Sequence, residues 1–364
     1  MNIGSVVYTT KSGLGILAKD FYDNGIINNV LIEPHEHYEN NFDWYPKQDR
    51  IIAPGRKLEG LDGFGQYLGP NQTSSLKEAD VPPALYDFVK KNDILFLFEI
   101  PFYHDITRLC RKMKKKIILM PMYECTPYPV DADIYICPSK LDFKVYKKLY
   151  PDKPIVFTPI PVGRQIDFKL RKKAKVFVHN AGNGGVLGRN GTNELMQAMK
   201  YVKSPIKLLI RTQKNIDHLL KINTHILNDN RVRIFTGTVP YEELWSLGDV
   251  FIFPEKFNGL SLPMQEAFAS GMLVMGGNRF PMNDWLPNEC LIDISNYEKK
   301  DIVGVPFASA QYDPRLIAAK IDEWYNKDIE KYSLMGKEFG YKNNWDNLQP
   351  AYESLIEKML NAAN

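Results

Sequence analysis

The sequence predicts an α/β protein made of two Rossmann-like domains. Apolar strands alternate with amphipathic helices along most of the chain, a pattern that is typical of parallel sheets. Glycine-containing loops join a strand to a helix twice, at residues 11–15 and again at residues 180–191. The chain has 364 residues, which is enough for two domains that each bury their own core.

Composition and charge are those of an ordinary soluble globular protein. Hydrophobic residues make up 44% of the chain and charged residues 24%, and the formal net charge of +3 is too small to indicate nucleic-acid binding by itself. The four cysteines are widely spaced and form neither a C-x-x-C pair nor a zinc-ligand pattern, which favours reduced structural thiols. The first residues read as a strand rather than a secretory signal, and no apolar run reaches the roughly 18–20 residues that span a bilayer. We therefore expect a cytoplasmic protein (host cytoplasm if viral) with no integral membrane segment.

The chain begins with a predicted strand, Ile3–Tyr8, then a short loop that contains Gly13 and Gly15, then a helix, Ile16–Tyr22. Strand, glycine loop and helix in this order open a Rossmann-like unit. The glycine pair alone is a weak signal, because any tight turn from a strand into a helix favours glycine. The polar, aromatic-rich stretch Glu33–Pro83 is either a ligand-recognition loop or an irregular surface segment whose aromatic residues pack onto the domain, and we favour the packing interpretation.

The rest of the first half alternates between strands and helices. The predicted elements are a strand at Val30–Ile32, a strand at Asp93–Glu99, a helix at His104–Met113, a strand and loop over Lys116–Glu124, a strand at Asp133–Ser139, a helix at Lys140–Leu149 and a strand at Ile155–Thr158. Parallel strands share one edge for their carboxyl ends, where ligands bind. Glu99 and Glu124 both lie at that end, so they are candidates for contact with a reacting ligand; the alternative is that each caps a turn.

A second strand–loop–helix unit lies in the other half of the chain. Its strand is Lys175–His179, its glycine-rich loop contains Gly185, and its helix is Thr192–Val202 with Thr192 as the N-cap. The next predicted strand is Ile206–Arg211. This repeat of the opening pattern predicts a second Rossmann-like domain.

The most informative stretch is Asp249–Asn278. It predicts a buried strand at Val250–Phe253, a loop that holds Gly259, a helix that begins near Ser261–Pro263, and a strand at Met272–Met275. Two helices, around Pro314–Tyr325 and Gln349–Ala362, are predicted to close the chain.

The start of the helix near Ser261 is a predicted anion-binding site. Ser261 is expected to cap the helix and Pro263 suits its first turn. Free backbone N–H groups and the positive end of the helix dipole attract an anion there. Glu266 lies about one turn into the helix, close enough to reach a hydroxyl of the same ligand. A phosphate site beside a carboxylate predicts a nucleotide-sugar site.

The residues from Asn258 to Glu266, followed by Ala-Phe-Ala-Ser-Gly, resemble the signature of GT-B glycosyltransferases of the family-4 type. The family pattern is Glu-x7-Glu, then Ala, two small residues and Gly; this chain keeps the spacing, with Asn258 in place of the first glutamate. The resemblance is strong over residues 175–278 and architectural over residues 1–160. It implies the GT-B fold, with an acceptor-side domain at residues 1–162, a nucleotide-sugar-binding domain at residues 163–340, and a C-terminal helix at residues 341–364 that packs back on the first domain.

The resemblance also implies roles for individual residues. Asn258 is expected to contact hydroxyls of the donor sugar, and Glu266 the ribose. The first glycine loop, with Gly13 and Gly15, is expected near the donor phosphates. Two acidic residues are the predicted catalytic residues: Glu124, at the position of the family's catalytic loop, is expected near the reacting carbon or the acceptor hydroxyl, and Glu99 is expected to orient the acceptor or to support the loop.

The donor diphosphate needs cationic partners, and the family's usual ones are replaced in this chain. Asn190-Gly191 stands where the family has Lys-Gly, and a glycine stands where it has an arginine. Arg189 and Arg211 are therefore the predicted cations for the departing diphosphate. The remaining predicted donor-binding residues are backbone contributors: Gly185, Gly259, Leu260 and Ser261.

The resemblance predicts transfer of a sugar from a nucleoside-diphosphate sugar, with UDP expected, to a hydroxyl of a glycan or glycoconjugate, with retention. No cofactor or essential metal is expected; Asp131-Ala-Asp133 has the spacing of a metal motif but precedes a strand in the first half. Basic clusters at residues 108–116 and 169–175 keep open a DNA glycosyltransferase that acts on hydroxymethylated bases. A sugar-nucleotide epimerase, which needs no acceptor, and a non-catalytic sugar-nucleotide-binding protein are further alternatives.

Overall fold

The structure is a computed structural model that describes residues 1–35, 39–53, 83–99, 104–127, 130–162, 166–182, 188–302 and 305–361. The chain folds into two compact units. Unit 1 comprises residues 1–160, 301–307 and 348–364, and unit 2 comprises residues 161–300 and 308–347.

Unit 1 is built on a parallel sheet whose seven described strands run in the order β3-β2-β1-β4-β5-β6-β7. The strands are β1 (Ile3–Val7), β2 (Asn29–Ile32), β3 (Arg50–Ile52), β4 (Ile94–Phe98), β5 (Lys116–Met120), β6 (Ile134–Cys137) and β7 (Ile155–Phe157). The connecting helices are α1 (Gly13–Asp23), α2 (Pro83–Lys91), α3 (His104–Lys112) and α4 (Lys140–Leu149). The central strand β4 is fully buried and continuously apolar, as expected of a parallel strand covered on both faces.

Unit 2 contains a second parallel sheet, in which six described strands run in the order β10-β9-β8-β11-β12-β13. The strands are β8 (Val176–Gly182), β9 (Lys207–Thr212), β10 (Val232–Thr236), β11 (Val250–Phe253), β12 (Leu273–Gly277) and β13 (Leu291–Ile292). The helices are α5 (Thr192–Ala198), α6 (Asp217–Ile222), α7 (Leu262–Ala269), α8 (Pro314–Trp324) and α9 (Glu330–Lys342). A separate pair of strands, β14 (Asn296–Ile302) and β15 (Val305–Gln311), forms a two-stranded sheet.

The last helix, α10 (Trp345–Asn361), belongs to unit 1 from Leu348 onward. Its Tyr352 packs edge-on against Phe21 of α1, with ring centroids 5.1 Å apart. The Tyr352 hydroxyl donates a hydrogen bond of 2.9 Å to the carbonyl oxygen of Pro159. Among the described residues, no helix is both long and apolar enough to cross a bilayer.

The predicted fold class is confirmed, and the element bounds show where the sequence misleads. β11 and α4 have the predicted bounds. α1 begins at Gly13 rather than Ile16, because the Ser12 hydroxyl caps it by accepting from the Gly15 amide at 3.3 Å. β3 lies inside the stretch predicted to be irregular. The helices α2, α6 and α9, the short strand β13 and the β14–β15 pair were not predicted at all.

The aromatic residues of the Glu33–Pro83 stretch are only partly described. Tyr45 is buried and meets the ring of Tyr22 edge-on at 4.9 Å, so this residue packs onto the domain as expected. Tyr38, Phe64 and Tyr67 lie outside the described residues.

A buried histidine links three elements of unit 2. His179 of β8 is fully buried; its Nδ1 lies 2.9 Å from the carbonyl oxygen of Ile252, and its Nε2 lies 2.9 Å from Oγ1 of Thr192. A carbonyl oxygen only accepts, so Nδ1 carries the proton and the Thr192 hydroxyl donates to Nε2. Burial lowers the pKa of His179 from 6.5 to about 4, and the native ring is neutral. The prediction that Thr192 is the N-cap of α5 is wrong. Thr192 is the first helical residue, and Gly191 occupies the cap position.

The buried, neutral His179 should make the protein less stable in mild acid. In the unfolded chain the ring binds a proton near pH 6.5, whereas in the folded chain it does so only near pH 4. The free energy of unfolding is thus unaffected above that window and falls as the pH drops through it, by about 3 kcal/mol in total at 1.36 kcal/mol per pH unit.

Denaturant unfolding at about pH 7.5 and about pH 5 tests this prediction. Wild-type protein should lose about 2 kcal/mol more between the two conditions than His179→Asn, which has no titrating ring. His225→Asn is the control, since the partly exposed His225 ring also contacts a backbone carbonyl oxygen, that of Met196. An identical pH dependence in wild type and His179→Asn would contradict the assignment.

Candidate functional site

The predicted site residues of unit 1 come together at the carboxyl edge of its sheet. β1, β4 and β5 are parallel neighbours, so the segments that follow them leave from the same edge. Gly13 and Gly15 follow β1, Glu99 follows β4, and Glu124 lies in the helical turn Tyr123–Cys125 after β5. The side chain of Glu124 lies outside the described residues.

Glu99 has an unusual backbone for a non-glycine residue. Its φ is 63°, in the left-handed region, while its amide still continues the sheet by donating to the carbonyl oxygen of Met120 at 2.8 Å. Strain of this kind costs on the order of 1–3 kcal/mol and is concentrated at functional sites. The geometry thus singles out Glu99 within this edge, while its chemical role remains a prediction.

The two glycines of α1 differ in what their positions require. A Cβ at Gly15 would lie 2.1 Å from the carbonyl oxygen of Thr10, so only glycine fits there. Gly13 is exposed, and a Cβ would have no heavy atom within 4 Å. Both lie in the first turn of the helix rather than in a preceding loop. The Gly-x-Gly pattern therefore contains one glycine that the fold requires and one that it does not.

In unit 2, the end of the glycine-rich loop is fastened to the sheet. Asn190 Nδ2 donates to the carbonyl oxygen of Ala181 at 2.7 Å. Gly191 has a φ of 68°, and a Cβ there would lie 2.1 Å from the carbonyl oxygen of Pro254. Asn190-Gly191 thus has a clear structural role in joining the loop to the segment after β11. Gly185 lies outside the described residues.

Arg189 lies against the residue that precedes the Asn258 turn. Its Nε donates to the carbonyl oxygen of Phe257 at 3.1 Å, and its guanidinium carbon is 5.2 Å from the centroid of the Phe257 ring. A cation over an aromatic face is held electrostatically. This contact places the Arg189 charge beside the segment that leads into α7.

Arg211 lies at the carboxyl end of β9 and is 6% exposed. Its Nη1 donates to the carbonyl oxygen of Leu244 at 2.5 Å. Burial alone lowers the pKa of the guanidinium, and none of the described side chains places a carboxylate against it. A guanidinium stays protonated in proteins and carries five N–H donors. A buried charge of this kind is costly unless an anion offsets it. Arg211 is therefore the strongest candidate in unit 2 for a residue that binds an anionic ligand.

The turn before α7 differs from the prediction in its hydrogen bonds. Asn258 Oδ1 accepts from the amides of Leu260 and Ser261 at 3.1 and 2.8 Å. Ser261 occupies the N-cap position with a φ of 47°, but its side chain makes no capping bond; its hydroxyl donates to Glu255 instead. The prediction that Ser261 caps the helix is therefore wrong, because a buried carboxylate competes for the hydroxyl. Gly259 and Pro263 lie in the turn and in the first helical turn, as predicted.

Glu266 is buried in α7, where its carboxylate has a partner from a separate segment. The Tyr241 hydroxyl donates to Glu266 Oε1 at 2.8 Å. Tyr241 begins a short helical turn after β10, at the carboxyl edge of the same sheet. A phenol that holds one carboxylate oxygen fixes the direction in which the other oxygen points.

Sequence reasoning missed a buried ion pair next to this turn. Arg279 is 1% exposed and forms an ion pair of 3.1 Å with Glu255, which is 0% exposed. Its neighbour Phe280 is exposed. The signal was present: Glu255 and Arg279 each follow a predicted buried strand, and those strands are adjacent in a parallel sheet.

The basic clusters are less available to a polyanion than the sequence suggests. Arg111 and Lys116 form ion pairs with Asp133, at 2.8 and 3.5 Å, and Lys153 pairs with Asp131 at 2.8 Å. Arg171, in the second cluster, is buried and donates to backbone carbonyls, those of Trp245 and Lys169 at 2.6 Å among them, rather than lying in a solvated linker. Among the described side chains, no group of three or more His, Cys, Asp or Glu residues is arranged to hold a metal ion.

Comparison with known proteins gives a fold and not a close relative. Neither a family model nor a curated protein sequence matches the chain. Among solved structures, the pneumococcal O-GlcNAc transferase GtfA in complex with UDP and GlcNAc is 14% identical, with a TM-score of 0.58, over 76% of this chain and 60% of its own. Sucrose-phosphate synthase from Thermosynechococcus elongatus is 13% identical, with a TM-score of 0.65 and both chains covered completely. Anabaena HepE in complex with UDP and glucose is 9% identical, with a TM-score of 0.65 and both chains again covered completely.

At these identities the likeness establishes the architecture alone. The chain has the GT-B fold, as the signature around Asn258–Glu266 predicted. The narrower assignment to the family-4 group remains a prediction.

Alanine substitutions at the two glycines of α1 should have very different effects. Gly15→Ala forces a Cβ against the Thr10 carbonyl oxygen and should lower the free energy of unfolding by about 1–3 kcal/mol, the cost typical of overpacking. Gly13→Ala meets open space and should be neutral or stabilising by up to about 1 kcal/mol. Thermal unfolding of both variants measures the difference, and equal destabilisation would contradict this structure of the first turn.

Proposed function

We propose that this chain is a glycosyltransferase that moves a sugar from a nucleoside-diphosphate donor, with UDP as the nucleotide, to a hydroxyl of a glycan or glycoconjugate. The observation that carries the proposal is Arg211, a buried guanidinium that donates to the backbone carbonyl oxygen of Leu244 and has no carboxylate against it among the described side chains. A diphosphate is a ligand that would offset its charge. The signature at Asn258–Glu266 and the UDP complexes of GtfA and HepE support the same choice of ligand.

Four side chains of unit 2 are assigned to the donor, in addition to the expectation that Gly13 and Gly15 lie near its phosphates. We assign Arg211 and Arg189 to the diphosphate, because charge develops on that group as the glycosidic bond breaks and fixed cations stabilise it. We assign Glu266 to the ribose, since its carboxylate is already oriented by Tyr241. Asn258 is assigned to the sugar. Two arginines would supply the charge that a metal supplies in other transferases, so the proposal includes neither a metal nor a cofactor.

The diphosphate must also compete for the turn before α7. Asn258 Oδ1 occupies the amides of Leu260 and Ser261. An anion that approaches these amides would displace the Asn258 side chain, which frees its carboxamide for a sugar hydroxyl. The loss of two neutral hydrogen bonds of about 1 kcal/mol each is smaller than the gain from charge-assisted bonds to phosphate.

The acceptor chemistry is assigned to unit 1. We propose that Glu124 and Glu99 bind and orient the acceptor hydroxyl, on the strength of their common sheet edge and the strained backbone of Glu99. Retention of configuration is proposed from the resemblance to retaining enzymes. A DNA acceptor loses part of its motivation, because Arg111 and Lys116 are paired with aspartate and Arg171 is buried.

Replacement of Arg211 tests the donor site directly. Arg211→Met keeps an apolar chain of similar length but removes the charge, and it should weaken UDP binding by about 10- to 100-fold, the effect of losing hydrogen bonds to a charged group. Lys207→Met is the matched control, because Lys207 is an exposed cation at the opposite end of β9. Isothermal titration of UDP into the three proteins gives the affinities.

The same titration separates the competing functions when it is repeated with a panel of UDP-sugars. Binding of one UDP-sugar by wild type, its loss in Arg211→Met, and acceptor-dependent release of UDP support the transferase. Turnover of the sugar nucleotide to an epimer without acceptor would favour the epimerase, and binding without any turnover a binding protein. Salt-sensitive retention on duplex DNA would favour the DNA acceptor. Failure of wild type to bind any nucleotide would sink the proposal.

A further inference from the structure

The turn that leads into α7 is bordered by a buried ion pair. Glu255 follows β11 and Arg279 follows β12, which are parallel neighbours. Their side chains are 0% and 1% exposed, and Arg279 Nη1 lies 3.1 Å from Glu255 Oε1. Two loops at the carboxyl edge of one sheet are thus joined by opposite charges that are shielded from water.

Each partner of the pair also holds the turn itself. Arg279 Nη2 donates to the carbonyl oxygen of Asn258 at 3.2 Å, and the Ser261 hydroxyl donates to Glu255 Oε2 at 3.0 Å. Tyr312 fixes the backbone of Glu255, since its hydroxyl donates to the Glu255 carbonyl oxygen at 2.7 Å. The pair therefore holds the turn at its first residue, Asn258, and at its last residue, Ser261.

The turn needs such support because its last residue is strained. Ser261 is not glycine, yet its φ is 47°. Residues other than glycine occupy this region at a cost of roughly 1–2 kcal/mol and do so where their surroundings leave no alternative. A buried ion pair is by contrast a weak source of stability, because removing two charges from water costs about as much as their attraction returns. A role in fixing the backbone of the turn therefore explains this ion pair better than a contribution to the stability of the fold does.

We propose that Glu255 and Arg279 are a positioning pair for the nucleotide-sugar donor. They fix the backbone of residues 258–261, so that Asn258 and the start of α7 meet the donor in one arrangement. Neither side chain touches the ligand; both act through Asn258 and Ser261. The inference rests on the donor site proposed above and adds to it the residues that set its geometry.

A double substitution separates positioning from stability. Glu255→Leu with Arg279→Met removes both buried charges and fills the space with apolar side chains, so its melting temperature should stay near that of wild type. Each single substitution leaves one buried charge unbalanced and should destabilise the protein far more. If the pair positions the turn, the double variant should fold and yet bind the UDP-sugar that wild type selects from the panel at least about 10-fold more weakly than wild type does. Wild-type affinity in the stable double variant would overturn the proposal.

Ser261→Ala provides a second test that leaves the ion pair intact. It removes the hydroxyl bond to Glu255 and should weaken binding of the UDP-sugar by about 3- to 10-fold, while the melting temperature falls by no more than about a few degrees because one oxygen of the buried carboxylate loses a donor. Ser270→Ala is the matched control, because the buried Ser270 hydroxyl bonds within the other end of α7, to the carbonyl oxygen of Ala267; its affinity should not change. If wild type binds the UDP-sugar and Ser261→Ala binds it equally well, the positioning role fails while the donor site stands. If wild type binds no nucleotide, it is the donor site that fails.

Discussion

The parallel direction of the strands is the constraint on which the candidate functional residues of each unit depend. In a parallel sheet every strand ends at the same edge, so residues that are far apart in sequence leave the sheet side by side. In unit 2 this brings together Arg211, near the carboxyl end of β9, and three segments that follow β8, β11 and β12: the loop end at Asn190-Gly191, the turn 258–261 and the segment with Arg279. In unit 1 it does the same for Gly15, Glu99 and the turn that holds Glu124.

The three buried arginines among the described residues of unit 2 differ in their hydrogen-bond partners. These partners indicate whether each side chain has a structural or a ligand-binding role. Arg171 is surrounded by backbone carbonyl oxygens, which use its donors and tie a segment to the sheet. Arg279 has its charge balanced by Glu255 and donates a further hydrogen bond to the carbonyl oxygen of Asn258. Arg211 is also buried, but it donates to one described carbonyl oxygen and no described carboxylate lies against it. The carbonyl oxygen of Leu244 fixes the direction of the Arg211 guanidinium, but no described carboxylate balances its charge. For this reason the proposed donor site is centred on Arg211.

The features that could be predicted from the sequence are those encoded by neighbouring residues. The apolar run of β11 and the capped, periodic α4 came out with the correct bounds, because local pattern and burial agree there. The start of α1 was misplaced because two glycines suggested a loop, whereas the Ser12 cap begins the helix before them. β3 is a three-residue edge strand, too short for a periodic signal.

The positions of the candidate residues in the fold could be predicted in outline, but their hydrogen bonds could not. The spacing from Asn258 to Glu266 identified the turn before α7 as the predicted anion-binding site, and Arg211 was placed correctly at the end of a strand. The bond from Asn258 to the Ser261 amide is local and was missed because Ser261 was taken as the cap, whereas the pairing of Glu255 with Arg279 depends on residues brought together by the fold. Tyr241 likewise meets Glu266 across 25 residues of sequence. Such contacts depend on the order of the strands in the sheet, and a single sequence does not reveal that order.

A crystal structure of the protein with UDP would test the proposed donor site most directly. We expect the diphosphate to lie within hydrogen-bonding distance of Arg211 and the start of α7, the ribose hydroxyls to contact Glu266, and the Tyr241 bond to Glu266 to be kept. UDP bound elsewhere, with the Arg211 guanidinium still directed only at the Leu244 carbonyl oxygen, would contradict it.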